Sequence, residues 1–184
     1  GYADLEGLIR YWLEAAPASM ADAYPVESYG KVIAILNNLD PLVPEGERAS
    51  MREGLERFLR EKRPPPRPAD LGGPAADLWE AATTIGRARP DLVERILAAA
   101  RPGASLVQPA GRLGGLRARV FLLHAAGDRL IPPVESQRLA ALVGSPARFL
   151  VTPLFEHVSV RGGGLLERWR LVRFASAFLE AAGD

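Results

Sequence analysis

"VFLLHAAGDRLIPP", residues 120–133, is the stretch whose reading decides the fold. Its first half, within "ARVFLLHA" at 118–125, is short, continuously apolar and bounded by glycine-rich punctuation. That pattern predicts a strand buried on both faces, as in a parallel sheet. Small residues follow, then the carboxylate of Asp128, then a pair of prolines that opens a helix over 132–144, closed by Gly144. "ARFLVTP" at 147–153 predicts a second short strand, and "GLLERWRLVRFASAFLEAA" at 164–182 a long amphipathic helix. The order strand, helix, strand, helix is how parallel sheets are wound.

Upstream of 118 the pattern is helical. Leu5, Leu8, Ile9, Trp12 and Leu13 repeat at helical spacing over 4–16, with Asp4 as a plausible N-cap and Pro17 as a stop. A second helix is expected over 27–39, stopped by "DPLVP", and a third over 45–62 with Met51, Leu55, Phe58 and Leu59 on one stripe. "RPPPRPADLGGP", 63–74, is too rich in proline and glycine for regular structure. Two further helices are expected at about 75–87 and 90–101. The expected organisation is a helical lid or cap region at 1–101 and a C-terminal βαβα unit at 102–184.

Composition narrows the function classes. A chain of 184 residues, 48% hydrophobic and with formal net charge +1, is an ordinary globular size and carries no field that would recruit nucleic acid or an anionic surface. The basic run "REKRPPPR", 60–67, reads as a solvated helix end entering a stiff loop, because a nucleic-acid face would need interleaved aromatics. With no cysteine and two histidines, neither a thiolate site nor a histidine-rich metal site is expected, and no cofactor is implied. No uncharged apolar run approaches the roughly 18 residues of a membrane span. The N-terminus "GYADLEGLIRYW" has no basic stretch followed by an apolar one, so no signal peptide is read and a cytoplasmic location is the expectation.

Two strands in a chain of this length raise a difficulty, since each flank of a parallel pair still needs a neighbour. The expectation is that the chain is part of a larger domain whose other strands precede residue 1.

The chemistry-bearing residues lie beyond the two strands. Asp128 follows the first, and "TPLFEHVSV", beyond the second, carries His157. In a parallel sheet both loops open at the same carboxyl edge, where ligands bind. The step from 128 to 157, 29 residues, accommodates one helix and one strand, so the two side chains are expected to meet. An acid beside a histidine fixes its tautomer and stabilises its charged form, and so makes a general base.

"VFLLHAAGDRLIPP" resembles the acid-bearing segment of α/β-hydrolases, "TPLFEHVSV" resembles their histidine loop, and "ERWRLVRFASAFLEA" their closing helix. The start, "GYADLEGLIRYW", resembles the region just after the strand that precedes the lid. The resemblance spans essentially the whole chain but only the later half of that fold. It implies an α/β class, with Asp128 as the triad acid and His157 as the triad base of a serine-type esterase acting on a small apolar ester. Ala125 stands where glycine usually follows the histidine, and Glu156 where glycine commonly precedes the catalytic one. The nucleophile elbow G-x-S-x-G is absent. The nearest string, "VESYG" at 26–30, has Val26 for the first glycine and no strand leading into it, so Ser28 reads as a helix cap. The chain is therefore expected to be silent alone, with the missing N-terminal half of the fold as its partner. The alternative is a non-catalytic module that binds a partner or pairs with itself through the open strand edge. His124 reads as structural, tying its loop to neighbouring backbone. Tyr11, Trp12, Tyr24 and Tyr29 read as core, or, less favoured, as the lining of an acyl or aromatic pocket.

Overall fold

A computed structural model describes residues 2–15, 27–109, 111–113, 115–156, 159–160 and 164–183. The protein is mostly helical with a small two-stranded parallel sheet, a mixed α/β class. It divides into two compact units, Leu5–Val107 and Gly1–Asp4 together with Gln108–Asp184.

The first unit holds α1 (Leu5–Glu14), α2 (Glu27–Leu36), α3 (Leu39–Leu42), α4 (Glu45–Glu61), α5 (Gly73–Thr83) and α6 (Pro90–Val107). Each long helix turns its apolar stripe inward. Leu8, Ile9, Trp12 and Leu13 of α1 are buried, as are Met51, Leu55 and Phe58 of α4 and Ile96 and Leu97 of α6. Burial of each such side chain stabilises by about 1.5–3 kcal/mol. Two tryptophans lie on glycines. A Cβ built on Gly30 of α2 would fall 2.2 Å from the Trp12 indole, and one on Gly54 of α4 would fall 2.6 Å from the Trp79 ring. Only glycine lets these helices approach so closely.

Three local expectations change. "DPLVP" does not merely stop a helix: Leu39–Leu42 forms a helical turn of its own, with Leu39 and Leu42 buried and the Leu42 carbonyl accepting from Arg95 at 2.6 Å. The last helix of the unit does not end at 101, so the expected boundary at 101/102 falls inside α6. The helix passes through Pro102 to Val107 because proline removes one ladder bond while Ala104, beyond it, is still buried. Ser28 is not a cap but the second residue of α2, with 1% of its surface exposed. Of the segment expected to be irregular over 63–74, residues 63–72 are, while Gly73 and Pro74 already open α5; it is pinned by buried Leu71, by Ser50 donating to Asp70 and by the Gly72 amide donating to Glu47.

The second unit holds β1 (Val120–Ala125), α7 (Pro133–Val143), β2 (Ala147–Thr152), β3 (Phe155–Glu156), β4 (Ser159–Val160) and α8 (Leu165–Gly183). β1 and β2 pair in parallel, in register from Val120 with Ala147 to Ala125 with Thr152. Alternation puts His124 on the face that meets α7 and Phe121 on the face that meets α8, where Phe174 and Phe178 approach its ring edge-on at 5.5 Å.

The strand expected to be buried on both faces is not. Val120, Phe121 and Leu122 are half-buried, Leu123 is 43% exposed, and only His124 and Ala125 are buried. Among the described residues β1 is hydrogen-bonded to β2 alone, so its apolar composition exceeds what this sheet covers. α8 is similar. Leu171, Phe174 and Ala177 lie half-buried at helical spacing, no residue is buried, and Trp169 and Val172 are exposed. The segment expected as a plain histidine loop instead carries the short antiparallel pair β3–β4.

Candidate functional site

The site begins where β1 ends. The Ala126 amide donates to the Thr152 carbonyl, carrying the pairing one residue past the strand, and the Asp128 amide donates back to the Ala125 carbonyl. The chain thus turns sharply through Gly127 and brings the Asp128 side chain over the following loop. Its Oδ1 accepts from the amides of Leu130 at 3.0 Å and Ile131 at 2.9 Å. A carboxylate that takes two loop amides is a turn-former of the Asx kind, and it leaves Oδ2 as the oxygen directed elsewhere. Pro132 caps α7 and Pro133 begins it, so the turn runs directly into a rigid helix.

His124 closes the loop from below. Its Nε2 lies 2.8 Å from the Ile131 carbonyl and its Nδ1 lies 2.6 Å from Ser136 Oγ in the first turn of α7. A carbonyl only accepts, so Nε2 carries a proton, and in the tautomer with a bare Nδ1 that nitrogen accepts from the Ser136 hydroxyl. His124 therefore ties the loop to neighbouring backbone. Asp128 Oδ2 is 3.7 Å from His124 Nε2, outside hydrogen-bond range.

Serine, histidine and aspartate thus stand together, but not as a working triad. Ser136 is 2% exposed and His124 6%, so no acyl substrate reaches the hydroxyl. The Ile131 carbonyl holds the ring proton that a triad acid would hold. The neighbouring α7 residue, Glu135, is also buried. Its Oε2 accepts from the amides of Ala3 at 3.0 Å and Asp4 at 3.1 Å, and its Oε1 from Arg138 at 2.6 Å.

Of the two residues singled out from the sequence, Asp128 sits at the carboxyl edge of the parallel pair, with its side chain 9% exposed. His157 lies outside the described residues. The strand that ends one position before it, β3, neighbours β1. No family model, curated protein or solved structure matches the chain.

Sequence reasoning missed Ser136 and Glu135. The available signal was a pair of polar residues in "PPVESQ", at the point where a helix over a sheet ordinarily turns apolar side chains inward. Among the described residues no cluster of His, Asp or Glu could hold a metal ion, and no helix is long and apolar enough to cross a membrane.

Proposed function

We propose that the chain is the later portion of an α/β-hydrolase fold, contributing Asp128 as triad acid and His157 as triad base to a serine-type acyl hydrolase. The observation that carries this reading is the fixing of Asp128. A carboxylate at the carboxyl edge of a parallel strand has one oxygen committed to two loop amides. The loop then sets the direction of the other oxygen, which is what an acid needs in order to orient an imidazole rather than merely sit near one. The approach of β3 to β1 supports the pairing, since His157 follows β3 immediately. In that enzyme a serine supplied from outside these 184 residues attacks the acyl carbon. His157 takes the serine proton and returns it to the leaving group, while Asp128 steadies the imidazolium. The helical unit corresponds in chain order to the lid.

The test has two arms. The coding sequence immediately upstream of Gly1 should encode, in frame, a strand followed by G-x-S-x-G. The longer protein should then hydrolyse short-chain p-nitrophenyl esters and lose that activity in His157→Ala and, by several orders of magnitude, in Asp128→Asn. Upstream sequence with no such motif, or ester turnover indifferent to both substitutions, overturns the reading.

A second reading, a non-catalytic module that self-associates, is favoured by the exposure of Leu123, Val151, Trp169 and Val172 on the second unit. It predicts a concentration-dependent dimer of the 184-residue chain in analytical ultracentrifugation. A monomer up to high micromolar concentration sinks it.

A further inference from the structure

We infer that Ser136 is a positioning residue for Asp128, acting through the orientation of the His124 ring. The functional meaning of this inference rests on the reading of Asp128 as a triad acid, although the network exists without it.

The linkage runs atom by atom. The Ile131 carbonyl keeps a proton on Nε2, and the Ser136 hydroxyl, 2.6 Å from Nδ1, anchors the opposite edge of the ring. That N–H donates to the Ile131 carbonyl at 2.8 Å. Holding this carbonyl fixes the last peptide before Pro132, and with it the Leu130 and Ile131 amides that point back at Asp128 Oδ1. The chain of bonds is buried at its source, where Ser136 is 2% and His124 6% exposed, so water does not substitute for either partner. Removing the hydroxyl leaves Nδ1 as a buried acceptor without its donor, an unfavourable state. With only its Nε2 edge still held, the ring is free to turn, and its bond to the Ile131 carbonyl loosens. The carboxylate loses its frame although Asp128 itself is untouched. A hydroxyl on α7 thus acts across the loop on the carboxylate. Rigid packing alone would make Ser136 replaceable by alanine, with little change at Asp128.

Two-dimensional 15N NMR on the labelled 184-residue chain tests this directly, because there are only two imidazoles to assign and His157→Ala identifies the other. In the unsubstituted protein the His124 ring should show a protonated Nε2 and a bare Nδ1. In Ser136→Ala the Nδ1 resonance should move to the position of a lone pair with no donor, and the Leu130 and Ile131 amides should exchange up to about tenfold faster, the scale of one lost hydrogen bond. The β1–β2 ladder amides of Leu122 and Leu150 should keep their protection. Ser136→Thr, which keeps the hydroxyl, should restore both readouts. A protonated Nδ1 in the unsubstituted protein overturns the inference without any variant, so a poorly folding Ser136→Ala still leaves it decidable. An unchanged Nδ1 resonance and unchanged exchange in Ser136→Ala overturn it equally. Failure of the ester assay, by contrast, would remove the hydrolase reading and leave these spectra as they are.

Discussion

The glycine of "VESYG" is the one point at which this chain could be mistaken for a nucleophile elbow, and Gly30→Ala tests what that glycine does. A methyl group on Gly30 falls 2.2 Å from Cγ and Cδ2 of Trp12 and 2.5 Å from Cδ1. These atoms are at the root of the indole, where rotation of the ring moves them least, and Trp12 is 7% exposed. Ordinary contact begins near 3.4 Å, so α1 and α2 must separate by roughly 1 Å. Overpacking of this kind costs about 3 kcal/mol at the upper end of its usual range. Alanine in a helix interior returns about 1 kcal/mol of propensity. The net expectation is a loss of about 2 kcal/mol, read as a lower denaturation midpoint at constant slope in guanidinium titrations followed by far-UV circular dichroism. Gly54→Ala meets only the rim atoms of Trp79, at 2.6 Å, and should cost less. Gly103→Ala, inside α6 with nothing within 4 Å of the new Cβ, should stabilise by up to about 1 kcal/mol. A Gly30→Ala protein as stable as the parent refutes the packing account. So does a Gly30→Ala penalty that persists in full when Trp12 is replaced by alanine, because the two sites must be coupled.

Other consequences follow from single observations. Lys62 ends α4 in the left-handed region at φ 55°, so Lys62→Gly should raise the unfolding midpoint by an amount corresponding to about 1 kcal/mol. Glu135→Gln weakens the pairing with the Ala3 and Asp4 amides, and hydrogen exchange at those two amides should accelerate relative to the parent. The hydrogen bond from Arg101 holds the Glu6 carboxyl below the usual glutamate range. Its contribution is therefore present above the unfolded pKa and lost as pH falls through the folded one. Glu6→Gln should cost well under about 1 kcal/mol at neutral pH, as exposed pairs do. That difference should vanish in acid, and a difference that grows in acid contradicts the assignment. A fluorophosphonate probe should leave Ser136 unlabelled in the native chain, since the hydroxyl is buried, and labelling that Ser136→Ala abolishes would make it a reactive nucleophile.

Helix periodicity located the five long helices among the described residues of the first unit, because a stripe at three- and four-residue spacing is a local property. The ends were less legible. α6 ran on through Pro102 and α3 formed over "LDPL", since the burial of Ala104, Leu39 and Leu42 outweighs the local stop signal. The parallel strands were legible as short apolar runs, but their burial was not, because a run's composition states what it could cover and not what is beside it. β3 and β4, two residues each, carry too little pattern to be read.

The acid was visible for the same reason as the strand. Asp128, just beyond an apolar run and just before two prolines, has only a turn to belong to. What holds it was not visible. His124 to Ser136 spans 12 residues and Ala3 to Glu135 spans 132, and no local period links such partners. By itself the sequence determined where the long helices and the two parallel strands form and which carboxylate lies at the strand's carboxyl end, since backbone sterics and side-chain spacing act within a few residues. Only the tertiary structure decided that Gly30 is a seat for Trp12, that Lys31 is buried against the carbonyls of Thr84 and Gly86, and that a serine on α7 faces a histidine on β1. Those are choices of partner, made when surfaces dock, and each polar one is fixed because a buried polar atom must find another.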